Sequence, residues 1–376
     1  MRSSLLLTTL AVAAGAAACD DPNIDEPSSP SSIAAETGTL AQAVVDPEVF
    51  ASGLRAPRGF TWGPDGSLYV AEAGLGGPRR TRPAECEQVA PPIGPYTNGL
   101  TSRISKITPE GRRSVFVRGL PSARDAMGNT VGAADLAFLD GELYALSGGG
   151  GCSHGIRGMP AAVIHVSSSG EWRTVVDLSA YIRAHPIANP APDFEFDGAW
   201  YSMVAVGGRL FIAEANHGEV VRVNPATWRP SRVTDVSARF GHIVPTALAE
   251  RRGTLYLGNL GTFPIDPRSQ RILQVRRNGD MSVFARGFTT VLGLDFDDEG
   301  RMYVLEMSRE AGFPTPGLGR VIRVNDDGSR DVVVNRLSFP TAMRFGPDGW
   351  LYISNRGFGP EPGEILRADV GGADAT

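Results

Sequence analysis

Six polar residues recur at one place in a repeated phrase: Glu72, Ser147, Glu214, Asn259, Glu306 and Asn355. Each closes a short apolar run led by an aromatic residue. Carboxylates and amides supply the oxygen ligands taken by hard cations such as Ca²⁺ or Mg²⁺. If those positions converge, Glu72, Glu214, Asn259, Glu306 and Asn355 form the wall of a divalent-metal site. The alternative is architectural, with the same side chains capping strand ends and holding loop amides.

Histidine placement bears on the same question. His154, His185, His217 and His242 fall in connections, whereas His165 sits within a strand pattern and reads as structural. A histidine in a polar cleft serves as acid, base or ligand. His217 and His242 bracket one repeat junction and are the catalytic candidates. They would act on a substrate oxygen polarised by an ion on Glu72, Glu214 and Glu306. Arg58, Tyr201 and His154 are the ligand-binding candidates. Arg79, Arg80 and Arg82 form a basic cluster that attracts an anion or stays solvated. The run Gly148–Gly151 follows a strand pattern but opens no helix, so no nucleotide cofactor is expected. A Gly-x-Ser-x-Gly elbow and a His-Glu-x-x-His element are both missing from the sequence.

The repeat tells what must position these groups. The phrase is an apolar strand, a turn written Pro-Asp-Gly or Asp-Gly, and an aromatic-led strand. Its anchoring aromatics are Tyr69, Tyr144, Phe211, Tyr256, Tyr303 and Tyr352, which makes six copies. The last three intervals are nearly equal, and the first two are about half as long again. Blades one and two therefore carry inserted loops. A third strand follows every copy, and a fourth follows the first five. The sixth copy lacks its fourth strand, while a surplus strand, EVFASGL from Glu48, precedes the first copy. One four-stranded unit cannot bury both faces, but six units around an axis cover one another. The expectation is an all-β, six-bladed β-propeller over 45–372 whose last blade is closed by an N-terminal strand. The loops after the second strands and those between blades then share one face around a central channel.

This topology makes blades one and two neighbours. Cys86 and Cys152 lie in their long loops, and a disulfide between them would staple both insertions over the channel mouth. The remaining cysteine, Cys19, follows Ala16, Ala17 and Ala18 at the end of an apolar run that starts behind Arg2. Residues 1–18 read as a signal peptide and Cys19 as a lipidation site, with plain cleavage and a soluble secreted product as the alternative. Residues 19–44 are rich in Pro, Ser and acidic residues and read as a tether. The expected location is the cell envelope, with the membrane reached only through lipid. A net charge of -5 without a basic stripe excludes nucleic acid as an expected partner.

Several phrases, taken together and in order, resemble the ScyD/ScyE family of exported propellers related to NHL-repeat proteins. They are GLRAPRGFTWGPDGSLYVAEAG at Gly53, DLSAYIRAHP at Asp177, VPTALAERRGTLYLGNLGTFP at Val244 and LSFPTAMRFGPDGWLYISN at Leu337. The resemblance covers Phe50 to Val370 and implies a six-bladed propeller without a defined reaction. It suggests a small-molecule or protein ligand on the loop face. Six-bladed relatives also include metal-dependent gluconolactonase-type hydrolases, whose ligands stand just before the inner strands. The equivalents here are Arg58, Ala134, Tyr201, Thr246, Leu292 and Thr341, none of them a carboxylate.

Overall fold

The computed structural model describes residues 44–358 and 362–371. The signal peptide, Cys19 and nearly all of the expected tether lie outside them. Six antiparallel sheets surround one channel. Their innermost strands are Pro57–Trp62, Ala133–Leu139, Trp200–Val206, Pro245–Arg251, Val291–Phe296 and Ala342–Phe345. Glu48–Leu54 pairs with Gly363–Ala368 as the outermost strand of the sixth sheet, in the register Glu48↔Arg367 to Leu54↔Gly363. The expected six-bladed closure is therefore present. It removes an open edge from blade six.

The core is divided into six wedges, one between each pair of adjacent blades. The second strand of a blade has neighbours on both faces, and Leu68–Glu72, Met302–Glu306 and Leu351–Asn355 are buried along their whole length. The outermost strands meet water, and Met281–Phe288 alternates between half-buried and exposed residues. The repeat aromatics rivet the wedges. Tyr69 meets Phe138 of the next inner strand edge-on at 5.5 Å, Tyr256 meets Phe296 at 5.0 Å, Tyr303 meets Phe345 at 4.8 Å, and Tyr352 meets Trp62 at 5.2 Å. Each edge-on pair adds about 1 kcal/mol beyond its area burial. The last of the four joins blade six to blade one, so the same contact that stacks the blades also closes the ring.

Near the axis the blades crowd. A Cβ on Gly59 would lie 2.0 Å from Asp135 Oδ1 and 2.9 Å from its Cα, so only glycine fits there. The Pro-Asp-Gly hairpin places Gly66 at φ +73°, the region glycine adopts without strain.

Blade one exceeds its repeat. Its third and fourth strands run Thr97–Ile107 and Arg113–Arg124, and a fifth, Thr130–Val131, pairs with Ala123 and Arg124. This extension raises the first inserted loop above the channel mouth. After blade two, a short helix, Leu178–Ala184, starts where the Asp177 side chain accepts the Ala180 amide.

Candidate functional site on the loop face

The six second-strand termini do not form a ring around the channel. All six are buried within their own blades, and every one except Ser147 bonds the connection that leads into its inner strand. Glu72 accepts the Arg55 amide at 2.5 Å, Arg103 Nε at 2.8 Å and Ser105 Oγ at 2.5 Å. Glu306 accepts the Thr289 amide and Arg320 Nε, both at 2.7 Å. Asn355 accepts the Ser338 amide and donates to Glu364. Asn259 donates to the Ile243 carbonyl and accepts the Arg271 amide. These are loop latches, and for Glu72, Glu306 and Asn355 the choice of side chain matches the residue opposite on the third strand. A glutamate stands where Arg103 or Arg320 faces it, and an amide stands where Glu364 does.

Glu214 departs from that rule, because the residue opposite it is Glu219. Four backbone amides, those of Ala199, Asn216, His217 and Gly218, point at its carboxylate. Burial nevertheless pushes its pKa up to about 8. Burial also raises Glu219 to about 7, against the opposing pull of Arg232 at 2.6 Å. Lone pairs spent on backbone amides and arginines leave no vacant set of carboxylate oxygens for an ion. Among the described residues no group of three His, Cys, Asp or Glu side chains is placed to hold a metal. The expected ring of Glu72, Glu214, Asn259, Glu306 and Asn355 therefore does not fit a divalent ion.

The histidines meet around a segment that the repeat pattern did not single out, Asp193–Asp197, with sequence DFEFD. His154 is wholly buried, with Nδ1 donating to the Gly150 carbonyl at 2.8 Å and Nε2 lying 3.2 Å from Glu195 Oε2. Burial disfavours its charged form, but the Glu195 carboxylate outweighs that and raises its pKa. Tyr96 donates to the same oxygen. His154 thus positions Glu195 and presents no free nitrogen to a ligand. His217 donates from Nε2 to the Glu195 carbonyl at 2.9 Å and stacks on Phe194 at 4.2 Å. Burial lowers its pKa, which keeps the ring neutral. His242 Nε2 stands 3.6 Å from Asp193 Oδ1. The Asn216 side chain donates to the Asp193 carbonyl and accepts the Glu195 amide. Asp197 accepts from Ser153 and from Arg183. Rather than forming one acid–base pair, His217 holds the middle of this acidic segment while His242 stands beside its first residue. An acid–aromatic alternation in a blade-to-blade connection was the available signal for it.

Beside the segment lies a cavity of about 540 Å³ on the loop face. Its walls come from the blade-one insertion (Ile93, Met127), the acidic segment (Asp193, Glu195), His242, and the blade-four and blade-five loops (Phe263, Phe313). Phe263 and Phe313 stack within 11° of parallel at 5.7 Å and remain 44% and 60% exposed. Arg58 is buried and Tyr201 half-buried at the inner-strand starts. Arg58 donates to the Thr130 carbonyl at 2.6 Å and lies over the Phe358 ring, and Tyr201 donates to the Thr341 carbonyl at 3.1 Å. Burial moves the Tyr201 hydroxyl up to about 12. Deeper in the channel, Arg344 pairs with Asp135 at 3.0 Å beside a void of about 30 Å³, more than enough for one water.

Cys86 and Cys152 form the expected disulfide, with Cα atoms 6.2 Å apart. It joins the insertions of blades one and two. Those insertions carry Ile93 of the cavity wall and the His154–Glu195 contact. Arg79, Arg80 and Arg82 lie in the stapled loop but not in the cavity wall.

No known family profile matches the chain, and no characterised protein matches it by sequence. Solved structures do match. A gluconolactonase from Xanthomonas campestris is 12% identical over 88% of this chain and 91% of its own, with a TM-score of 0.52. A calcium-binding protein, regucalcin, from Agrobacterium tumefaciens is 14% identical over 87% and 95%, with a TM-score of 0.52. A protein of unknown function from Bacteroides thetaiotaomicron is 11% identical over 87% and 72%, with a TM-score of 0.55. At such identities the likeness establishes a shared propeller fold and no more.

Proposed function

We propose that this chain is a ligand-binding propeller of the cell envelope, exported by residues 1–18, held by lipid on Cys19 and akin to the ScyD/ScyE proteins. It takes a small molecule in the loop-face cavity and carries out no defined reaction there. The observation that carries this reading is the cavity itself. Its volume falls within the range of small-molecule sites, and its walls are mostly apolar with a few polar groups at one side. Two stacked phenylalanines standing in water are costly in a free protein and useful in a binding one. The insertions of blades one and two bring the Asp193–Asp197 segment and Ile93 to a mouth that a plain propeller leaves open.

The metal-dependent alternative takes its support from the fold shared with a calcium-binding regucalcin. The latched state of Glu72, Glu214 and Glu306 weighs against it. Mass spectrometry of the natively purified protein tests the proposal. A small molecule should accompany wild type and be lost from the Phe263→Ala/Phe313→Ala variant. Identical small-molecule content in both would refute it.

A further inference from the structure

We infer that the loop-face cavity selects cations: its ligand is a flat apolar molecule carrying a protonated or quaternary amine. The inference rests on the proposed function above and adds the ligand's charge and shape. Three observations support it.

The first is the charge of the wall. The chain has 36 lysines and arginines, yet among the described residues none lines the cavity, whose ionisable groups are Asp193, Glu195 and His242. Arg58 is turned under Phe358 and spent on the Thr130 carbonyl. An anionic ligand would meet two carboxylates and no arginine or lysine. The basic cluster expected to attract an anion lies elsewhere on the loop face.

The second is the state of Asp193. Asn216 fixes its backbone, while its carboxylate is 42% exposed at the cavity edge. Among the described residues its single ionic contact, to His242 at 3.6 Å, is too long for a hydrogen bond, and its buried Oδ1 has no donor. Glu195, by contrast, is already engaged by His154 and Tyr96. One carboxylate is thus committed inward and one presents its charge to a cationic group of the ligand.

The third is the aromatic wall. Phe263 and Phe313 lie nearly parallel, and a ring face attracts a desolvated cation. A flat body against these rings with an ammonium toward Asp193 satisfies both features.

Three probes with one naphthylmethyl-type body test this: a trimethylammonium, a neutral alcohol and a sulfonate. Their binding to the full-length, detergent-purified chain is measured by isothermal titration against a micelle blank. The ammonium should bind at least tenfold tighter than the alcohol, and the sulfonate at least tenfold weaker. Asp193→Asn should bring the ammonium to within about twofold of the alcohol measured on the same variant, and Asp193→Glu should retain the preference. Phe313→Ala should weaken all three. Circular dichroism on each variant separates lost binding from lost folding. Equal binding of the three probes, or a preference that survives Asp193→Asn, overturns the inference and leaves the small-molecule reading standing. If no probe binds even at millimolar concentration, both fall.

Discussion

Replacing Glu72 with alanine separates a latch from a metal ligand. In the folded chain its carboxylate holds the Arg55 amide and both the Nε and Nη2 of Arg103, at 2.8 and 2.7 Å. Glu72 is fully buried, and the Arg103 side chain is only 10% exposed. Removing one member of such a pair leaves a charge in low dielectric with no partner, at a cost of about 3–5 kcal/mol. Part of the Arg55 amide's bond is recovered by water, so about 4 kcal/mol is the expected loss. Unfolding roughly 330 residues releases about 0.7 kcal/mol per kelvin of entropy at about 2.1 cal/mol/K per residue, so Tm should fall by about 6 °C. Differential scanning calorimetry reads this directly, once with calcium and once with chelator. The fall should be the same in both. The double variant Glu72→Gln/Arg103→Met should recover much of it, since the buried charge goes with its partner. A fall below about 1 °C, or one seen only with calcium, would refute the latch and restore Glu72 as a metal ligand.

Three further outcomes follow from the same structure. Glu214 and Glu219 have pKa values raised from 4.5 to about 8 and about 7, so the folded state holds protons that the unfolded state has lost. Their contribution to stability is therefore full below about pH 4.5 and is lost as pH rises through 7 to 8, and Glu219→Gln should flatten that decline in a pH series of thermal melts. The Cys86–Cys152 bridge spans 66 residues, for which chain entropy assigns roughly 4 kcal/mol. Reductant should lower Tm by several degrees, and an unchanged melt would show that the insertions are held without it. Cys19→Ser should shift the protein from the membrane to the soluble fraction, and unchanged partition would mean that lipid is not the anchor.

The ring was legible in the sequence because it is redundant. Six aromatics mark six copies, and a surplus strand at Glu48 matches a deficit after Glu364. Position along a strand was equally plain for Glu72, Glu214, Asn259, Glu306 and Asn355. Direction was not. A terminal side chain turns toward the channel or into its own blade according to which loop amide lies nearest, and the sequence does not show where the amides of Arg55 and Thr289 point. For the same reason the acidic segment Asp193–Asp197 stayed hidden: it lies in an inserted stretch, where no second copy reveals its place. His154 was recognised as important but for a different task. Its burial depends on Tyr96 and Glu195, which are 58 and 41 residues away.

The union of Glu48–Leu54 with Gly363–Ala368 also sets an order of events. Ribosomes make the first of these strands hundreds of residues before the second. Until Gly363–Ala368 is available, that early ribbon has no mate, and the circle stays open like an unfastened bracelet. Blades one to five can stack on one another first, whereas the sixth must wait for both of its far-separated parts. Loss of either strand would therefore leave a sticky edge on the hoop.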